Sequence, residues 1–354
     1  MPAPSVVEDR LVFTLADSQR LFTRVGLDCD DAVEGGRRFR RTARGWSLSL
    51  PRPELKRLEY RLVVSKRGGN TEVVCDPDNA ERVQTAFGER SVALLPGYEE
   101  PRWLRDGLAD SRHVAELAYD DAELGELPIT VWQPAELAAE TPAPLLVVHD
   151  GPEYAELSDL TTYLMWLIAR DEVPPFRAAL MQPVDRDEWY AANPDYARAE
   201  LSAVGHIGET VAVDGPLVVM GASLGGLAAL TVAAASEGRV RGVVAQSGSF
   251  FDVALDPQES AYPYFDRVTA VVAGVRAAGA VSEGSGLSVG LTCGRLEENW
   301  PNNQALATAL ESQGHAVTLT GLDDLHNYTA WRDGFDPTLG SVLRSVWGQP
   351  WMGR

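Results

Sequence analysis

The sequence is poor in three things. It has 3 cysteines and 5 histidines in 354 residues. Cys29, Cys75 and Cys293 are scattered, form no C-x-x-C pair and make no even set. That pattern excludes a disulfide scaffold and a cysteine zinc site, and leaves three small buried hydrophobes in a reducing compartment. No apolar run approaches the roughly 18 residues that a membrane span requires. Met1 to Arg10 lacks a basic stretch followed by an apolar one, so no secretory signal is read and the cytoplasm is expected. Positive charge is also scarce. Formal net charge is −20, which argues against nucleic acid and anionic membrane surfaces as partners. A local cluster of arginines still permits a small anionic ligand.

What is present divides by rhythm. Asp9 to Thr14, Leu21 to Leu27, Gly45 to Leu50 and Leu58 to Ser65 read as short strands separated by Gly, Pro and charged residues. Arg37 to Arg44 is a basic run, read as a solvated turn. Asp76-Pro77-Asp78-Asn79 is turn chemistry. A small β-sandwich ending near Pro96 is expected over residues 1–100. Pro96 to Arg112 is polar and reads as a linker, and Glu283-Gly284-Ser285-Gly286 is the most linker-like patch elsewhere. In residues 101–354, apolar strands alternate with helical patterns. The strands are Leu127 to Trp132, Leu145 to His149, Ala178 to Pro183, Leu217 to Met220, Val240 to Gln246, Leu287 to Cys293 and Ala316 to Leu322. Such alternation implies a mainly parallel sheet covered on both faces, an α/β domain.

Gly221-Ala222-Ser223-Leu224-Gly225 fits G-x-S-x-G. Alone the pattern is weak. Here a buried strand runs straight in and an alanine-rich helix runs straight out. That is the context of a nucleophile elbow in an α/β-hydrolase catalytic domain. Ser223 is the expected nucleophile. The N–H of Leu224, at the helix start, faces the oxyanion that forms. In this fold the triad runs serine, acid, histidine along the chain, with the histidine after the last strand. His326 fits, and His315 precedes that strand. The acid belongs after the strand Leu287 to Cys293, where Glu297 is the first choice and Glu298 the second. Asp323 and Asp324 adjoin His326, but a sequence neighbour rarely points at the ring. The second oxyanion donor is expected from Gly151 or Asp150, after the strand ending at His149.

Five blocks then resemble the enterobactin (enterochelin) esterase family. They are His149 to Glu153, Asp185 to Glu188, Gly221 to Gly226, Gly294 to Glu297 and His326 to Arg332. Gln246-Ser247-Gly248-Ser249-Phe250 is similar too. The resemblance extends more loosely to Asp76 to Asn79 and Ser91 to Gly97 in the expected sandwich. It implies a cytoplasmic serine esterase that cleaves a catecholate trilactone and so releases iron. By the same resemblance Arg186, Asp150, Phe250 and Trp331 are assigned to substrate binding. A guanidinium suits an anionic catecholate. An ion pair with Glu188 is the structural alternative for Arg186, and core packing is the alternative for Phe250. Basic residues near the blocks are Arg186, Arg198, Arg295 and Arg332. No cofactor and no metal are expected. The expected partner is a small ester, the ferric siderophore included, and the sequence is compatible with an oligomer. The runner-up is a carboxylesterase or feruloyl-type esterase. A non-catalytic binding protein is the third reading.

Overall fold

A computed structural model describes residues 4–108, 112–282 and 284–348. Three residues of the expected linker, 109–111, and Glu283 of the second linker-like patch lie outside the described residues. So do Met1 to Ala3 of the expected start. The described chain falls into two compact units. Among the described residues one holds 4–99 together with 295–297 and 323–327, and the other holds the rest.

The first unit is all β. Its strands are β1 (Ser5–Val7), β2 (Arg10–Ala16), β3 (Phe22–Cys29), β4 (Arg40–Arg41), β5 (Gly45–Pro51), β6 (Arg57–Lys66), β7 (Thr71–Val74), β8 (Arg82–Thr85) and β9 (Gly88–Leu94). They form an antiparallel sheet in the order β1-β2-β5-β4. A second runs β3-β6-β9-β8, with β7 on β6. Alternation explains the arrangement: every second residue of β2 and β6 is buried, as a strand with one apolar face requires. Phe13 of β2 meets Tyr60 of β6 edge-on, ring centroids 5.0 Å apart. Leu48, Leu27 and Val25 complete one core shared by both sheets.

The basic run is a correction. Arg40 and Arg41 form β4, Phe39 is buried between them and Arg38, and Arg41 lies over the Trp46 ring. A guanidinium over an aromatic face tolerates the surface of a strand well, so this segment is more than a turn. At Asp76-Pro77-Asp78-Asn79 the turn forms: Asp78 N–H donates to Asp76 Oδ1 at 2.9 Å.

The second unit is built on an eight-stranded sheet. Its strands are β10 (Arg112–Asp121), β11 (Gly125–Pro134), β12 (Leu145–His149), β13 (Arg177–Met181), β14 (Leu217–Ala222), β15 (Val240–Gln246), β16 (Ser288–Gly294) and β17 (Ala316–Leu322). The order is β10-β11-β13-β12-β14-β15-β16-β17. The β10–β11 and β11–β13 pairs are antiparallel and all others are parallel. Both faces are covered. Val147, Val219 and Val243 pack toward the helices Pro194–Thr210, Leu224–Ala235 and Trp300–Ser312. Their strand neighbours Leu146, Val218 and Val244 pack toward Leu160–Ala169 and Phe335–Trp347. Burial on both faces is why these strands read as unbroken apolar runs.

Two expectations fail here. The polar linker contains the helix Arg102–Arg105, and Trp103, 1% exposed, packs on Tyr163 and Phe335. The chain enters the sheet at Arg112, not Leu127, because β10 is an edge strand with a largely exposed face. Its apolar residues are too few to register as a core strand. No described helix is long and apolar enough to cross a membrane. Among the described residues no cysteine is in a disulfide, and only Cys293 is fully buried.

Candidate active site

β14 delivers the chain to Ser223 and the helix Leu224–Ala235 takes it away. Ser223 has φ 57° and ψ −125°. A non-glycine residue in that region is strained, and such strain persists only where the surroundings enforce it. They do so by contact. A Cβ on Gly221 would stand 2.4 Å from the Gly225 carbonyl oxygen, and one on Gly226 would stand 3.2 Å from Ala245 Cβ. Strand and helix therefore touch backbone to backbone, which only glycine allows. The neighbouring strand closes the turn. Ser223 N–H donates to the Gln246 carbonyl at 2.9 Å, and Ser249 N–H donates to the Ser223 carbonyl at 3.0 Å. Ser223 Oγ lies 3.2 Å from Ser249 Oγ.

The segment after β15 is held by polar side chains. Tyr154 donates its hydroxyl proton to Gln246 Oε1, and Gln246 Nε2 donates to the Trp331 carbonyl, both at 2.9 Å. Asn299 Nδ2 donates to the Ser247 carbonyl at 3.0 Å, and Asn303 Nδ2 to the Gly248 carbonyl at 2.8 Å. Trp331 Nε1–H donates to Ser247 Oγ at 3.1 Å. Ser249 was not among the expected site residues, although the Gln246 to Phe250 block that contains it was visible.

Two N–H groups open helices near this turn. Leu224 begins the helix after Ser223, and Gly151 begins the helix Gly151–Leu157. First-turn N–H groups have no partner within their own helix and are available to an anion. The choice between Gly151 and Asp150 is narrowed by a hydrogen bond: Asp150 N–H already donates to Tyr190 Oη at 3.2 Å. A Cβ on Gly151 would lie 2.3 Å from Leu180 Cα, so glycine is required there.

His149 is fully buried, with Nδ1 2.9 Å from the Met220 carbonyl and Nε2 2.7 Å from Glu200 Oε2. The Met220 carbonyl can only accept, so Nδ1 donates to it, and Nε2 is engaged by the Glu200 carboxyl group. Burial disfavours a charged ring, but Glu200, the Met220 carbonyl and Asp150 together outweigh it, so the pKa shifts upward. This ring is structural and offers no lone pair.

Arg186 does not pair with Glu188. It forks onto Asp150, with Nε 3.0 Å from Oδ1 and Nη2 2.8 Å from Oδ2. Glu188 instead accepts from Arg267 at 3.0 Å. Burial disfavours the Arg186 charge, but the bond to Asp150 raises its pKa above the usual value. The other arginines near the site segments are also paired: Arg198 with Asp121, Arg295 with Asp323, Arg332 with Asp333. Phe250, 1% exposed, and Trp331 are packed into the cores on opposite faces of the sheet.

In the other unit, His326 Nδ1 and Glu297 Oε2 are 2.7 Å apart. A carboxylate accepts, so Nδ1 carries the proton. The Glu297 side chain is 4% exposed. Glu298 points elsewhere, toward Gln258 at 3.3 Å. Asp323 is engaged with Arg295, and Asp324 with Arg57. Among the described residues no group of His, Cys, Asp and Glu is arranged to hold a metal ion.

No family model and no curated protein matches the sequence. Solved structures do match in shape. The ferric enterobactin esterase of Salmonella typhimurium superposes with a TM-score of 0.79 at 19% identity, covering 97% of this chain and 96% of that one. The chain has the fold of the enterobactin esterases. The Shigella flexneri enterobactin esterase, solved in the presence of enterobactin, gives 0.75 at 20% identity over 98% and 96% of the two chains. A ferulic acid esterase gives 0.55 at 18% identity, covering 67% of this chain and 99% of its own.

Proposed function

We propose that the chain is a serine esterase that opens a catecholate siderophore trilactone and releases its iron in the cytoplasm. In this reading residues 101–354 are an α/β-hydrolase catalytic domain and residues 1–100 a β-sandwich. One observation carries it: a strained Ser223 on a strand–helix elbow whose glycines leave no space for a side chain. The His326–Glu297 bond supplies the matching base and acid. His326 takes the Ser223 proton as the hydroxyl attacks the ester carbonyl. The N–H groups of Leu224 and Gly151 hold the oxyanion. His326 then protonates the leaving alcohol and activates water against the acyl-enzyme. Glu297 keeps the proton on Nδ1 and stabilises the ring once it is charged.

The substrate class rests on the sequence blocks and on the fold shared over nearly the whole chain with enterobactin esterases. Asp150 orients Arg186, whose guanidinium is the proposed contact for an anionic catecholate. A second reading, a feruloyl-type carboxylesterase, is favoured by the ferulic acid esterase whose length this chain covers almost entirely. The test is to incubate a tris-catecholate trilactone, iron-free and iron-loaded, with the protein and with Ser223→Ala. Linear trimer, dimer and monomer are followed by mass spectrometry. Serine-dependent opening is expected. Hydrolysis of simple activated esters without lactone opening would transfer the protein to the second reading.

A further inference from the structure

The loops that carry Glu297 and His326 belong to the same compact unit as residues 4–99. They are fastened to it in three ways. Leu325, 4% exposed, sits in the core of that unit, and Leu296 packs against the same core. Lys56 N–H donates to the Asp323 carbonyl at 2.8 Å. The third fastening is ionic and buried. Arg57, at the start of β6, is 2% exposed. Its Nε lies 3.2 Å from Asp324 Oδ2 as an ion pair without hydrogen-bond alignment, and its Nη2 donates to Asn327 Oδ1 at 3.1 Å and to Glu59. Asp324 Oδ1 in turn accepts from Leu325 N–H at 2.8 Å and from Asn327 Nδ2 at 3.1 Å. One guanidinium thus grips residues on both sides of His326.

An apolar plug would hold this loop at lower electrostatic cost, because burying two charges outweighs much of their attraction. What the guanidinium adds is a directed hydrogen bond to Asn327 together with a charge that holds Asp324. A histidine two residues after Asp324 and one before Asn327 has little freedom to slide. We propose that Arg57 is a positioning residue for the base, clamping Asp324 and Asn327 so that His326 is held in register with Glu297. The N-terminal unit then holds the proposed base in place. This rests on the reading of His326 as the base.

The test uses the full chain. Arg57→Gln leaves Asp324 and Glu59 without their cation and risks misfolding, so Arg57→Lys and Asn327→Ala are made beside it. Lysine keeps the charge but cannot reach both residues as the guanidinium does. Val25→Ala, in the same core but away from the clasp, controls for loss of stability alone. The prediction is that Arg57→Lys and Asn327→Ala lower kcat by about 10- to 100-fold, with KM little changed, because a displacement near 1 Å costs that much. The downfield proton resonance of His326 Nδ1–H should shift or broaden in both, and Val25→Ala should lower Tm while leaving kcat and the resonance as in wild type. Wild-type kcat and an unmoved resonance in both clasp variants would overturn the proposal. His326→Ala separates the two ideas. Full activity in that variant refutes the base assignment itself, whereas an inactive His326→Ala beside unaffected clasp variants refutes only the positioning role.

Discussion

The proposed nucleophile and its proposed base are held by opposite means. Ser223 is fixed by backbone contact inside an apolar sheet, where Gly221 and Gly226 let strand and helix meet. His326 is fixed by side chains, through a carboxylate on one side and a buried arginine clasp on the other. The first arrangement is local and tolerates almost no added volume. The second joins residues 270 positions apart in the chain and tolerates volume but not loss of charge or direction. Packing and polar networks fail differently, so substitutions in the two regions should separate cleanly.

The largest effect is expected at the elbow itself. Ser223→Ala should lower kcat by on the order of 10⁶-fold while leaving Tm near wild type, as for other activated serines. Ester turnover and a thermal melt check it together. On the loop side, Glu297→Ala should cost less, on the order of 10⁴-fold or below, because a serine–histidine pair retains part of the chemistry. Activity equal to wild type would remove Glu297 as the acid. The packing side is sharpened by Gly151→Ala. A Cβ there meets Leu180 backbone at 2.3 Å, so about 3 kcal/mol of stability should go, within the usual range for overpacking. Urea unfolding measures it.

The smallest effect is a pH signature of the clasp. Asp324 is pushed up from 3.8 to about 6 by burial, against the pull of Arg57 and the bonds from Leu325 N–H and Asn327, with Glu59 adding to the rise. Its folded pKa therefore lies above its unfolded one. The stability it contributes is fully present below pH 3.8 and is lost as pH rises through about 6. Asp324→Asn should remove that slope, so its stability relative to wild type should increase between pH 4 and pH 7. Parallel slopes for the two proteins in urea titrations across that range would contradict the account.

The same contrast explains what the sequence made legible. The elbow is visible because its requirements are local: two glycines, a serine, a buried strand before and a small-residue helix after. The core strands β12 to β16 are visible because both of their faces are apolar. The Glu297 loop is placed by chain order relative to the strands, and its contact with His326 follows the expectation that sequence-adjacent Asp323 and Asp324 point elsewhere. The clasp has no local signal, since an arginine opening an edge-rich β region looks like any surface arginine. Trp103 was hidden in a polar segment, and β10 in a half-exposed edge strand. The pairing of Arg186 with Asp150 rather than Glu188 depends on where two separate strands end, which spacing along the chain does not encode.

The central claim is that Ser223 is an activated nucleophile served by His326. Fluorophosphonate labelling of the folded protein, with the modified residue located by peptide mass mapping, tests it most directly. The account predicts labelling at Ser223 in wild type, none in Ser223→Ala, and much slower labelling in His326→Ala. A folded wild-type protein that takes up no label, or labels equally fast without His326, would contradict it.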